Sequence, residues 1–156
     1  MSSSRNEQML KQILTTIINS AAGLKYAIII DDTGLTIASQ SKFTFTEDDH
    51  GSVEKIGAIG GAVFTAGEEQ GQILGYGEIN LQITEYKKGL IFSIKLDDGV
   101  LVLATDLNVQ VGFIRALLKK WAPRITKILN KYLESSDQKA MKEELKELFS
   151  TDSLGF

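Results

Sequence analysis

Residues 56–66 (IGAIGGAVFTA) pass without a single charge, and Gly57, Ala58, Gly60, Gly61 and Ala62 make up most of the stretch. A helix that is apolar all round has no side suited to water and must be covered on more than one side. Val53, Ile56, Gly60, Val63 and Phe64 form one stripe that is expected to face a sheet. Ala58, Ile59, Ala62 and Ala66 lie on another side and need a second cover. The chain has 156 residues, enough for one domain, so another subunit is the expected source of that cover. The other use of the glycines, close packing inside one subunit, stays open at this point.

The flanking segments predict what this helix packs against. Ser4 and Glu7 read as a capping box, and Leu10, Ile13, Leu14, Ile17, Ile18 and Ala21 follow at helical spacing, with Gly23 as a left-handed cap. Tyr26-Ala27-Ile28-Ile29-Ile30 is apolar on both faces and predicts a central strand. Asp31-Asp32-Thr33-Gly34 turns the chain into the alternating Leu35-Thr36-Ile37-Ala38-Ser39. Thr46, followed by Glu47, Asp48 and Asp49, predicts the start of the small-residue helix.

Ile73, Ile79, Leu81 and Ile83 alternate with polar residues toward Tyr86, which predicts a half-exposed strand over 72–86 with a bulge at Gly75 and Gly77. So long an edge offers its backbone groups to a neighbour. Lys87-Lys88-Gly89 and Asp98-Gly99 mark two turns, completing a three-strand meander through 90–96 and 100–104. A third helix, capped by Asp106 or Asn108, is expected to turn Val109, Phe113, Leu117, Trp121, Ile125, Ile128 and Tyr132 inward, with a kink or restart at Pro123. Residues 1–134 then form one domain. Residues 135–156 read as a linker and a short amphipathic helix with the stripe Met141, Leu145, Leu148 and Phe149.

The residue inventory excludes much chemistry. Without cysteine there is no disulfide, thiolate nucleophile or thiolate metal site, which fits a reducing cytoplasm. His50 is the only histidine, so one chain cannot make a two-histidine metal site. It reads as a solvated residue of a helix first turn rather than a ligand. Asp31-Asp32 and Asp97-Asp98 sit in tight turns that leave carboxylates in water, a poor setting for general acid–base work. Gly71, Gly75 and Gly77 match neither phosphate-loop pattern. No secretory signal is expected at the N-terminus, and no apolar run approaches the ~20 residues of a membrane span. The net charge of -3 conceals a basic segment: residues 108–134 carry six Lys or Arg and one acid. That run offers a contact to nucleic acid or an anionic membrane, but it reads as a solvated helix face, since neither the aromatic platform nor the glycine loop of nucleic-acid modules accompanies it.

The order helix, two strands, helix, three strands, helix predicts an α/β sandwich on a five-stranded antiparallel sheet, of the roadblock/profilin-like kind, plus a short C-terminal helix. Three stretches carry a closer resemblance: 23–35 (GLKYAIIIDDTGL), the small-residue helix 56–66, and 101–115 (LVLATDLNVQVGFIR). In these the chain resembles the roadblock/dynein light chain family over about residues 5–133. The resemblance implies a homodimer in which the third strands pair and the second helices pack, with a heterodimer of two such proteins as a variant. It also implies a non-enzymatic protein without cofactor that regulates or scaffolds a Ras-like small GTPase. The alternative within the family is a structural adaptor or light chain with no effect on GTP turnover. The tail 143–150 (EELKELFS) looks like the acidic-apolar C-terminal segment of MglB-type regulators.

On this reading the dimer interface comprises Ala58, Ile59, Ala62, Ala66, Ile73, Tyr76, Ile79, Leu81 and Ile83. The partner-binding residues are Glu54, Lys55, Ala58, Ala62, Leu145, Leu148 and Phe149. Arg115 and Arg124 are weaker candidates for contacts in trans with the GTPase.

Overall fold

A computed structural model describes the backbone of residues 2–42 and 47–152, with side chains described for 4–42, 52–135, 141 and 144–149. The elements are α1 (Ser2–Ile18), β1 (Leu24–Asp31), β2 (Thr36–Ser41), α2 (Glu47–Leu74), β3 (Gln82–Glu85), β4 (Leu90–Lys95), β5 (Gly99–Thr105) and α3 (Val111–Asp152). The strands form one antiparallel sheet in the order β2-β1-β5-β4-β3. The sandwich expected from the sequence is therefore present.

Strand periodicity splits the core in two. Ala27 and Ile29 of β1, Leu101 and Leu103 of β5, and Leu90 and Phe92 of β4 face α1 and α3, where they join Leu10, Leu14, Ile114, Leu118, Ile125 and Leu129. Ile28 and Ile30 of β1 and Val100 and Val102 of β5 face the other way and meet Val53 and Phe64 of α2. β1 and β5 are apolar on both faces because both faces are covered.

α2 lies close to the sheet because its inner side is built of glycine. A Cβ on Gly57 would stand 2.9 Å from Thr36 Oγ1 and 3.0 Å from Ile30 Cγ2, and one on Gly61 would stand 2.9 Å from Ile30 Cδ1. These contacts realise the intrasubunit packing left open above. They do not cover the outer side: Ala58, Ile59, Ala62, Val63 and Ala66 are exposed.

Several local expectations are corrected. Residues 72–86 are not one strand. α2 runs on to Leu74 and ends where Gly75 adopts a φ of 73°, with Gly75 N–H donating to Gln72 O (3.2 Å) and Tyr76 N–H to Gly71 O (2.8 Å). This pair of bonds satisfies carbonyls of the last turn, and the left-handed residue costs least at glycine. Only residues 82–85 pair with β4. Gly23 is not a left-handed cap; it admits the side chain of Val109, which a Cβ there would strike.

The β4–β5 turn is Asp97-Asp98, closed by Leu96 N–H to Gly99 O (2.8 Å), with Asp97 at a φ of 71°. Phe113 points outward and Ile114 takes its place in the core. Pro123 lies inside α3 without ending it, because Leu118 and Ala122 before it and Ile125 and Leu129 after it are anchored in one core. The tail is helical, but it continues α3 through Ser135 and Ser136 instead of following a linker. The proposed cap Thr46 lies outside the described residues, as does the side chain of His50.

Candidate protein interface

At 100° per residue, Lys55, Ile59, Ala62, Ala66 and Ile73 fall along one row of α2. All five are exposed, Ile59 by 58% and Ile73 by 86%, and Tyr76 just past the helix end by 80%. Glu54 is exposed one helical turn before Ala58, and Ala58, Thr65 and Glu69 follow on the adjoining side, beside the β1–β2 turn. That turn is rigid: the Asp31 side chain accepts hydrogen bonds from Thr33 N–H (2.9 Å), Thr33 Oγ1 (2.6 Å) and Leu35 N–H (3.0 Å), and Gly34 takes a φ of 87°. So fixed a turn gives the small-residue side of α2 a defined wall.

On the other flank of the row, a cleft of about 230 Å³ opens between α2 and the β3–β4 edge of the sheet. Ile59 and Val63 stand on its helix side, Gln82, Thr84 and Tyr86 on its strand side, with Ile91 and Val102 between them. The free edge of β3 borders it. Apolar stripe, apolar cleft and unpaired strand edge thus adjoin, and exposed apolar patches of this kind on a water-facing protein mark contact surfaces.

One ion-pair cluster ties the helix, the chain leaving it and the sheet beside this surface. Lys95 Nζ of β4 lies 3.0 Å from Glu68 Oε1 and 3.5 Å from Glu78 Oε1, while Glu68 Oε2 accepts the Ile79 N–H at 3.0 Å. The Ile79 hydrogen bond, helped by Lys95, holds the Glu68 carboxyl below its ordinary pKa. The hydrogen bond to Glu68 raises the Lys95 pKa in turn. The chain between helix and strand is therefore tied to both.

The structure separates the residues assigned to the dimer seam. Ala58, Ile59, Ala62, Ala66, Ile73 and Tyr76 lie on the outer α2 surface or its end. Ile79 packs against the α2-side core and Leu81 against the α1–α3 core, so both serve their own subunit; Ile83 is exposed on β3. Glu54 and Lys55 are exposed on α2, whereas Leu145, Leu148 and Phe149 are exposed on the far end of α3, beyond the packed body. Sequence reasoning missed the cleft, whose strand wall includes Tyr86 and the polar Gln82 and Thr84, because it set Val63 on the sheet-facing stripe and read 72–86 as one strand, whereas Val63 is exposed and β3 is short.

Among the described residues no group of three His, Asp or Glu is placed to hold a metal ion, and no helix is long and apolar enough to cross a membrane.

The backbone defines a class. Solved structures with this fold include MglB in a tetrameric arrangement (TM-score 0.71, 14% identity, covering 81% of this chain and 92% of that one). Myxococcus xanthus MglB matches with a TM-score of 0.70 at 18% identity, over 81% and 91% of the two chains. A roadblock/LC7 domain from Streptomyces avermitilis matches with a TM-score of 0.66 at 13% identity, over 80% and 97%. The fold is that of the roadblock/LC7 domain. No family model matches the sequence. The uncharacterized protein MJ0310 of Methanocaldococcus jannaschii is 32% identical over 110 residues, 69% of this chain and 90% of that protein. MJ0714 of the same organism is 29% identical over 119 residues, 76% and 95% of the two. The chain belongs to one family with these uncharacterized archaeal proteins, and its fold is the roadblock/LC7 fold.

Proposed function

We propose that this protein is a homodimeric, non-enzymatic regulator or scaffold that binds a Ras-like small GTPase in the cytoplasm and modulates its nucleotide cycle or location. The observation that carries the reading is the outer row of α2, where Ile59, Ala62, Ala66 and Ile73 leave an apolar surface on a domain whose core is already complete without it. A second copy is the partner best suited to that row, because its own identical row and its own free β3 edge supply matching apolar and backbone groups. The MglB with a tetrameric arrangement supports self-association in this fold.

Glu54, Lys55, Ala58 and Ala62 then border the seam and form the GTPase contact, with Leu145, Leu148 and Phe149 of the tail as a second contact. Residues 1–134 act as the dimerising body and 135–156 as the reaching segment. No catalytic group, metal or cofactor enters this reading. Regulation acts through contact alone, and one copy exchanged for another roadblock protein would change the partner surface without changing the seam.

The test is complex formation with small GTPases of the same organism, loaded with GDP or a GTP analogue and followed by size-exclusion chromatography with light scattering. A complex of two copies with a GTPase, tighter in one nucleotide state, is the expected result. Absence of binding to every such GTPase in both states would overturn the regulator and favour a passive adaptor.

A further inference from the structure

α3 carries a second, unrelated surface. Lys120, Arg124, Lys127 and Lys131 follow at spacings of four, three and four residues, so they line one row spanning about 16 Å of the helix. All four are exposed, and among the described residues none takes part in an ion pair. Glu134, one turn beyond the row, is the only acid between residues 108 and 134. The row stands on the outer side of the α1–α3 layer, across the sheet from α2, and so is separate from the interface described above.

Two of the cations are held in place by their own helix. Lys120 Nζ lies 5.5 Å and Arg124 Cζ 5.2 Å from the centre of the Trp121 ring, which is half-buried against the core. Phe113, 45% exposed, falls in the same angular sector at the start of α3. A protein of net charge -3 that gathers a cationic row on one edge of α3, in the same sector as an exposed phenyl ring, has built a face complementary to an extended anionic surface.

We propose that this face of α3 binds the surface of an anionic phospholipid bilayer. Polybasic rows are drawn to anionic headgroups, and an aromatic side chain in line with them suits the headgroup boundary. A nucleic acid would share the phosphates but would want stacking platforms, and among the described residues of this row the one indole is already occupied by Lys120 and Arg124. The tail residues Met141, Leu145 and Leu148 fall within about 60° of the row in angle, so tail and row address one side of the molecule. A partner held by the tail would thereby be held at the bilayer, although the lipid contact itself does not depend on the GTPase reading.

Flotation of the full-length protein with vesicles tests this. Vesicles of phosphatidylcholine containing about 30 mol% phosphatidylserine should carry the protein, and pure phosphatidylcholine vesicles should not. Binding should weaken steeply with added salt. Lys127→Gln alone should lower partitioning about fivefold, and the four glutamine substitutions together by at least about a hundredfold, with far-UV circular dichroism unchanged. Lys87→Gln with Lys88→Gln, on the β3–β4 turn, should leave binding as in the wild type. The proposal fails if the wild type ignores anionic vesicles, if Lys127→Gln and the fourfold variant bind like the wild type, if the turn variant loses as much as the row variant, or if a short single-stranded RNA strips the protein from vesicles at equal phosphate.

Discussion

Glu68, two turns before the end of α2, accepts the backbone N–H of Ile79 at 3.0 Å, and so decides where the chain leaving the helix starts toward the sheet. This bond and Lys95 stabilise the ionised carboxylate, so its folded pKa lies below its unfolded value near 4.3. A carboxylate with a lowered pKa contributes stability above the unfolded value and loses it as pH falls through the folded one. Glu68→Gln is therefore expected to melt at a lower temperature than the wild type above about pH 5, with the gap closing as the pH is lowered through the acid range. Lys95, whose pKa is raised, contributes below about pH 10 and loses its contribution as pH rises beyond that. Thermal melts from pH 3 to neutrality check the first statement; a constant gap between the two proteins would contradict it.

Gly75 and Gly112 make a matched pair. Gly75 closes α2 at a φ of 73°, so Gly75→Ala is expected to cost about 1 kcal/mol although no atom lies within 4 Å of the added Cβ. Gly112, inside the first turn of α3 and equally open, has no positive φ, and Gly112→Ala should be neutral or stabilising by up to about 1 kcal/mol. Urea unfolding of both variants measures the contrast. Equal effects would mean that backbone conformation is not what distinguishes them.

Gly57 tests the closeness of α2 to the sheet. Its added Cβ would meet Ile30 Cγ2 at 3.0 Å and Thr36 Oγ1 at 2.9 Å, both on β-branched side chains with little room to turn away. Gly57→Ala should destabilise by about 1–3 kcal/mol, less the gain in helix propensity. Replacing Ile30 by Val in the same protein should restore part of the loss, a coupling readable in a double-mutant cycle of denaturant melts.

Most of the architecture was legible because it rests on short-range pattern. β1 and β5 announced themselves as apolar on both faces, and the Asp31 turn by its residue types. The end of α2 was misjudged because Gly75 serves a helix terminus and a bulge equally well; what selects the helix is the pair of bonds from Gly75 and Tyr76 back to Gln72 and Gly71, together with Glu68 taking the Ile79 amide, neither visible in an alternation of apolar residues. The exposure of Ile59, Ala62 and Ala66 was legible from helical period alone, whereas the packing of Leu81 against the α1–α3 core was not, since which face a strand buries depends on the layer beneath it.

That distinction shapes the test of the seam. Ile59→Asp and Tyr76→Asp alter side chains that are 58% and 80% exposed and touch neither core, so the folded subunit should keep its thermal stability within about 0.5 kcal/mol. If the outer row of α2 joins two copies, each aspartate buries a charge opposite an apolar surface, and self-association should weaken at least about tenfold, or ~1.4 kcal/mol. Leu81→Asp should instead lower the melting temperature, because it places a charge against the α1–α3 side of the subunit's own core. Sedimentation equilibrium at micromolar protein, with melts on the same samples, separates the two effects. A dimer unmoved by Ile59→Asp and Tyr76→Asp would place the seam away from α2, and the cleft beside Val63 would then need another occupant.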